Sequence, residues 1–465
     1  MSRPLHVSAR EHCENLHIGR GVIHSATLAL GTVYKGEVGN GVRVRIAIVG
    51  GGAAGLASAW LLEGQHDITL FEKDDRPGGH AHTVEVEVDA QRVAVDAGFQ
   101  FFGRGPAYAT FNRLLDLLGV QRESYPATIT LFGRDPRRPG RRRALPMPPF
   151  RGGRPVWASF TPRALCDLIR FRIFLARVPA FLERHDTTVT IEQYLEDHRV
   201  SRRFAEEVVN PLLLAFWCVE PAEFRRFAAY NALYYLGANA PKGLSPPRQS
   251  QIRGGLAVYV DALVRDLRAT ELHLGTAVRR VEREGGGYAV EDARGIRHRF
   301  DQVIVATNAQ QALPLLEAVP GLEPMRRQLG RFEYFDTAIA VHGDRRLMPP
   351  DESDWSVVNA RWDGEHSALT IWDPARGLPV FKSWVTFDER MPQPIYALAR
   401  YEHGKVTPDY FDAQRRLCEL QGREGVWLAG LYTHDADSHE SAIRSAVTVA
   451  QRLAPDSVRL RRLLA

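Results

Sequence analysis

The chain has 465 residues, 45% of them hydrophobic and 25% charged, which is the composition of an ordered globular protein and not of a disordered or fibrous one. At this length a single core stops growing, so two domains are expected. Sixty basic residues against 55 acidic ones leave a net charge of only +5, too little to point to nucleic acid, and no apolar run approaches the roughly 20 residues of a membrane span.

Residues 1–43 are polar and irregular and lack an apolar targeting core. They are expected to be a disordered extension, as a start codon placed too early would leave. Order is expected from Val44, where Val44, Ile46, Ala47, Ile48 and Val49 form the apolar run of a buried parallel strand. That strand leads into Gly50-Gly51-Gly52-Ala53-Ala54-Gly55. Gly50 suits the tight turn, Gly52 lets backbone approach a pyrophosphate, and Gly55 lets the following helix, Ala53 to Leu62, pack closely on the strand. The open N–H groups at Ala53 and Ala54 and the positive end of the helix dipole would face the phosphates. A second strand, Asp67 to Glu72, ends in a carboxylate 22 residues after Gly50. Glu72, with Lys73 beside it, can accept both ribose hydroxyls of an adenosine and would repel a 2′-phosphate.

The next signal separates the two dinucleotides. A second glycine turn, Gly78-Gly79-His80, follows the acid, and a strand pair then leads to Asp96-Ala97-Gly98-Phe99-Gln100. A simple NAD dehydrogenase has no use for that turn. A flavin is longer and must be threaded, so Gly78 and Gly79 can bring backbone to its ribityl and pyrophosphate portion while Gly98 does the same near the ring. FAD is therefore the expected cofactor.

These motifs resemble the amine oxidase and phytoene desaturase superfamily of flavoproteins, whose second glycine turn follows the ribose acid in the same way. Near the C-terminus, Gly425 to Gly430 reads as a strand ending in glycine, and His439 to Ala446 opens the last helix. The resemblance implies that Gly430 lies by the ribityl phosphate and that the helix start, with Glu440, Ser441 and Ala442, serves the flavin pyrimidine. It also places Val278 where backbone meets adenine, and Ala306 and Thr307 beside the cofactor. A narrower resemblance, carried by Asn210 to Trp217, Arg253-Gly254-Gly255, Val303 to Thr307 and Asp344 to Pro349, is to a bacterial subgroup known as predicted NAD/FAD-binding oxidoreductases. Its members accompany cyclopropane-fatty-acid-synthase-like methyltransferases, which implies a lipid substrate and a methyltransferase partner. Two departures stand out: Thr433 to Ser438 replaces a Gly-Tyr-Gly-Phe-type run, and Leu431 stands where the superfamily often has an acid.

The implied fold is α/β: a discontinuous Rossmann-like FAD-binding domain with a mixed helical and antiparallel-sheet substrate domain. Residues 44–130, 250–320 and 405–465 are assigned to the first, and 131–249 and 321–404 to the second. The run Arg134 to Arg143 breaks the pattern with charge and proline, after which the chain reads as mainly helical to 249, while alternation from 321 to 404 reads as antiparallel strands.

Candidate chemistry gathers near the last helix. His439 and Tyr432 are expected to position substrate, with His434, Asp435, Asp437 and Glu440 as a proton relay or, more plainly, as a loop and helix cap. No third ligand accompanies the His80-x-His82 pair, so no metal is expected. Lys382 resembles the lysine that some amine oxidases hold near flavin N5, although on an amphipathic strand it is expected to be exposed. Cys13, Cys166, Cys218 and Cys418 are scattered without paired spacing, as in a reducing cytoplasm. The segment Leu165 to Val178 mixes an apolar body with Arg170, Arg172 and Arg177, and with the arginines at 138–143 it can rest on the inner face of an anionic membrane. The functional expectation is an FAD-dependent dehydrogenase, desaturase or isomerase acting on a lipid acyl chain or polyprenoid. The alternatives are a flavin amine oxidase and a non-catalytic flavin-binding partner of a lipid methyltransferase.

Overall fold

The computed structural model describes residues 42–134, 142–151, 153–239 and 247–465. All of the expected extension at 1–43 except its last two residues, and much of the arginine run, therefore lie outside the described residues. A five-stranded parallel sheet occupies the centre, built from β1 (Arg45–Val49), β2 (Asp67–Phe71), β11 (Glu271–His273), β15 (Gln302–Val305) and β21 (Val426–Leu428) in the order β11-β2-β1-β15-β21. Its strands come from three separated stretches of chain. Ile48 pairs with Leu70 on one side and Ile304 on the other, so β1 is enclosed and its unbroken apolar run is explained.

Helix α1 (Ala53–Leu62) returns from β1 and packs against α7 (Ala257–Asp266) and α9 (His439–Leu453). Leu56, Leu61 and Leu62 are fully buried there. Each contributes about 1.5–3 kcal/mol by leaving water. The helix is apolar all round because it is covered all round.

A seven-stranded sheet lies beyond it, in the order β20-β16-β19-β18-β17-β6-β7. Its members are β6 (Ile129–Arg134), β7 (Arg142–Met147), β16 (Tyr334–His342), β17 (Val358–Trp362), β18 (Ser367–Trp372), β19 (Phe381–Trp384) and β20 (Ile395–Gly404). All neighbours are antiparallel except β17 and β6. Helix α5 (Asn210–Trp217) packs on β17 and β18, and α3 (Pro162–Glu183) lies across α6 (Ala229–Ala238). Helix α4 (Ile191–Asp197) starts at Thr190 with a complete capping box to Gln193.

The region after 130 is not mainly helical from its start. β6 and β7 pair with Arg134 opposite Arg142, so the charged run is flanked by the two strands of a ladder, and a short pair, β8 (Phe150–Arg151) and β9 (Arg154–Pro155), follows before α3. The charge and proline that read as a break mark the link between those strands. Smaller ladders complete the fold: β3 (Thr83–Val88) with β4 (Gln91–Asp96), β5 (Arg122–Pro126) with β10 (Arg248–Ile252), and β12 (Val278–Glu284) with β13 (Gly287–Asp292) and β14 (Arg297–Phe300).

Candidate active site

The glycine corner forms at the carboxyl ends of β1 and β15. Gly50 has φ +109, and a Cβ there would stand 2.8 Å from the Ala306 carbonyl oxygen. A Cβ on Gly55 would collide with the Gly50 carbonyl, so this glycine sets the contact between helix and strand. Around Gly52 nothing lies within 4 Å of the same construction. The three glycines therefore do different work: two are required by the protein's own packing, and the third fronts open space. The Gly78 amide donates to the Gly51 carbonyl (2.8 Å), and Gly79 lies against Gly52, so the second glycine turn is seated on the first. Glu72 is buried at the end of β2, accepting from the Gly51 amide (2.6 Å) and the Asp74 amide (2.9 Å). Each carboxylate oxygen keeps a second lone pair for a ribose hydroxyl. Lys73 beside it is exposed. Helix α1 begins at Gly52 without a side-chain cap, leaving its first amides pointed at that space. An open glycine, an uncapped helix start and an acid at the next strand end fit the diphosphate and ribose of FAD.

His80 is exposed by surface area, yet burial among neighbours drives its pKa down to about 3. Its ring meets Tyr401 edge-on at 4.5 Å and stacks on His403 at 5.6 Å. A Cβ on Gly98 would collide with the His80 carbonyl, which locks the stretch Gly98-Phe99-Gln100 against the second glycine turn. Gln100 donates to Gln251 Oε1 (3.0 Å), while its own Oε1 is buried without a partner among the described residues. Ala306 and Thr307 follow β15, half-buried, and Val278 is half-buried where the β12 ladder slips by one residue.

Lys382 corrects the expectation of exposure. It is 2% exposed, its ammonium donates to the Gly98 carbonyl (3.0 Å) and stands 5.5 Å above the Trp384 ring, and burial lowers its pKa to about 7. With Asp96 and Gln100 it lines a narrow cleft. Phe381 packs with Met348 and Trp355 while Lys382 reaches Gly98 from the opposite face, so β19 is covered on both faces and alternation carries no inside-outside information there.

The dense cluster before α9 does not form a relay. His439 stacks on Phe99 (4.6 Å), meets Phe111 edge-on and shares a hydrogen bond with the Tyr259 hydroxyl (2.9 Å). Burial holds its pKa near 3, so no imidazolium is available as an acid. Tyr432 also departs from its expected role: its ring packs in the core against Phe332, and burial raises its pKa well above the ordinary value. Glu440 turns away, its two oxygens accepting from the amides of Thr110 (2.9 Å) and Phe111 (2.8 Å) and so capping α2 (Ala109–Leu117). Ser438 caps α9 by accepting from the Ser441 amide (3.2 Å), the Ser441 hydroxyl donates to the Ala436 carbonyl (2.6 Å), and the Ala442 amide donates to Ser438 O (3.3 Å). The amide of Gly430 is likewise taken, by Ser445 Oγ (2.9 Å). The donors left at this helix start, among the described residues, are the amides of His439 and Glu440. Asp435 accepts from Tyr230 (2.9 Å) and pairs with His185 (2.9 Å).

Asp437 is the side chain that sequence reasoning undervalued. It is buried, its amide donates to Asn231 Oδ1 on α6 (2.8 Å), and among the described residues its carboxyl has no hydrogen-bond partner. Burial raises its pKa to about 7, and its charge would be felt by Tyr235, Tyr334 and Tyr410. Asn231 Nδ2 and the hydroxyls of Tyr410 and Tyr432 are also buried and unpartnered among the described residues. The available signal was the departure at 433–438 itself. Of the large apolar residues singled out in the helical segment, Trp217 and Leu233 go to the core, whereas Phe216, Tyr234 and Tyr235 stay half-buried.

Comparison with known proteins agrees with this geometry. A family model described as flavin containing amine oxidoreductase matches residues 53–344. Coproporphyrinogen III oxidase of Bacillus subtilis (strain 168) is 21% identical over 332 residues, which are 60% of this chain and 63% of that protein, so the chain spans less than two thirds of this relative. A putative protoporphyrinogen oxidase from Exiguobacterium sp. 255-15 superposes with TM-score 0.59 at 17% identity, covering 88% of this chain and 98% of that one. A CLA-producing fatty acid isomerase from P. acnes gives TM-score 0.62 at 13% identity (87% and 97% covered), and cyclohexylamine oxidase from Brevibacterium oxydans IH-35A gives 0.61 at 16% (89% and 99%). These structural likenesses establish the fold.

Proposed function

Since the chain belongs to the flavin-containing amine oxidoreductase family and is an FAD-dependent oxidoreductase, we propose that it acts on a hydrophobic substrate, a lipid acyl chain or a polyprenoid, as a dehydrogenase, desaturase or isomerase. The observation that carries this reading is that Phe216 on α5 and Tyr234 and Tyr235 on α6 stay only partly buried at the edge of the core, where apolar rings remain available to a substrate. The fatty acid isomerase that shares the fold lends support. Gly50, Gly52, the amides of Ala53 and Ala54, Glu72, Gly79 and His80 would hold the FAD. Bound FAD supplies a two-electron acceptor. Lys382, with its pKa near 7, is poised to take or give a proton beside the Gly98 stretch.

Asp437 favours a second reading, oxidation of an amine, because a buried carboxyl beside Tyr235 can hold an ammonium once it is ionised. The test is anaerobic mixing of the purified protein with long-chain acyl lipids or with small amines, following the oxidised flavin band near about 450 nm and the lipid products by mass spectrometry. Bleaching by a lipid, or a rearranged lipid without bleaching, is the expected result. Rapid bleaching by a simple amine, with lipids neither bound nor changed, overturns it. A cyclopropane-fatty-acid-synthase-like methyltransferase is the proposed partner, on resemblance alone, and copurification of the two proteins tests it.

A further inference from the structure

Helix α3 has two apolar faces. Phe171, Phe174, Leu175 and Val178 are buried against the core, while Leu165, Ile169 and Ile173, one turn apart, stand 39%, 62% and 51% exposed on the opposite side. A helix that only packed on its domain would carry polar residues there. At about 100° per residue the outer stripe spans roughly 80°, with Arg172 at one edge and Arg170 and Arg177 at the other. The single acid between 162 and 182, Asp167, is buried and paired with Arg143.

A second group of exposed apolar side chains precedes the helix. The 3-10 turn Trp157–Phe160 presents Trp157 at 76% exposure, and Phe150 is 52% exposed, both rings touching Phe160 (6.1 and 5.4 Å). Arg154, also exposed, lies between them in sequence. An exposed Trp and Phe, three aliphatic residues in a line and arginines on both flanks, with no exposed acid on the helix between 162 and 182, form a surface with apolar depth and positive rim. No helix among the described residues is long and apolar enough to cross a membrane, so the contact this surface suits is peripheral.

We propose that Phe150, Trp157 and the outer face of α3 (Leu165, Ile169, Ile173) dock this protein on an anionic lipid bilayer, the arginines meeting the headgroups. Charge and apolarity together select that occupant: a bilayer offers apolar depth directly beneath anionic headgroups, whereas an acidic protein surface would match the arginines and leave the exposed Trp157, Ile169 and Ile173 against charge. This surface is independent of the substrate reading, because none of its residues touches the glycine corner, Lys382 or Asp437.

The test uses the full-length flavoprotein with vesicles of phosphatidylethanolamine and phosphatidylglycerol, and with vesicles of phosphatidylcholine alone. Wild type should sediment with the anionic vesicles, less so as salt is raised, and hardly with the neutral ones. The triple change W157S, I169E and I173E should lower binding by at least about tenfold through lost apolar contact and added charge, with bound flavin and melting temperature unchanged. If that variant misfolds, Trp157→Phe serves instead: quenching of tryptophan emission by brominated lipid should fall while binding persists. Failure of wild type to bind anionic vesicles overturns the proposal. So does equal binding by the triple variant, or a wild-type dimer that the variant converts to monomer, which would make the face a contact between copies.

Discussion

Two kinds of site in this molecule are made of different materials. The glycine corner between β1 and α1 is built from backbone, its amides, its carbonyls and the absence of Cβ atoms deciding what fits. Two chambers, one around Lys382 on β19 and one around Asp437 between α6 and the loop before α9, are built from buried side chains, several without hydrogen-bond partners among the described residues, whose charge states depend on what surrounds them. A backbone site is fixed by local geometry and tolerates neighbours of many kinds. A side-chain chamber acquires its chemistry only from tertiary burial.

The sharpest way to break this comparison lies within the corner. Gly52→Val should leave folding intact, since nothing lies within 4 Å of that position, yet abolish FAD binding by filling the space the diphosphate needs. Gly55→Val should instead lose the fold, because any Cβ there meets the Gly50 carbonyl. Flavin content of the purified protein and its melting curve separate the two. A G52V protein that retains stoichiometric FAD would show that the corner is not the cofactor site.

That contrast also explains what was legible in the chain. Strand, glycine turn, helix and terminal acid are local signals with fixed spacing, so β1, α1, β2 and Glu72 could be read directly. Gly52 and Gly55 could even be given separate roles. Lys382 could not be placed, because strand alternation says nothing about a strand covered on both faces. The residues at 434–440 were read as one cluster since they adjoin in sequence. In the fold they diverge: Asp435 toward Tyr230 and His185, Asp437 toward Tyr235, His439 onto Phe99, and Glu440 to the start of α2.

In the chamber at β19, Lys382→Met is expected to have the next largest effect. Below pH 7 the wild-type ammonium is charged and favours added electrons nearby, so the variant's bound flavin should have a lower reduction potential by some tens of millivolts, about 30 mV for each 1.4 kcal/mol. Above pH 8 the wild-type amine is neutral and the two proteins should converge. A constant difference from pH 5 to 9 would mean that Lys382 does not titrate in this range.

Asp437→Asn probes the carboxyl of the other chamber, beside α6. Its pKa is raised from 3.8 to about 7, so the folded state holds a proton that the unfolded chain releases between those values. Wild-type stability from this group is therefore fully present below pH 3.8, is lost as pH rises toward 7 and is constant above it. The variant's advantage should grow across that window to about 2–4 kcal/mol and then level off. A flat difference from pH 4 to 9 would place an ionised carboxylate in the chamber and strengthen the amine reading.

The smallest effect is expected at Glu440, where the two materials meet. Its position at the start of α9 is what the family resemblance assigns to the cofactor, but its carboxylate is occupied by the amides of Thr110 and Phe111 at the start of α2. That helix has no cap of its own, since Tyr108 offers no side-chain bond, so Glu440 supplies from a distance what a neighbouring Ser or Asp supplies elsewhere. Glu440→Ala should then cost about 1–2 kcal/mol of stability through the lost cap, lowering the melting temperature by a few degrees while FAD content stays at one per chain. The amide of residue 440 remains, so any donation from the α9 backbone to the flavin survives the change. If the variant instead melts like wild type and loses its flavin, the carboxylate belongs to the cofactor site, and the division between a backbone corner and a side-chain chamber fails at the residue that joins them.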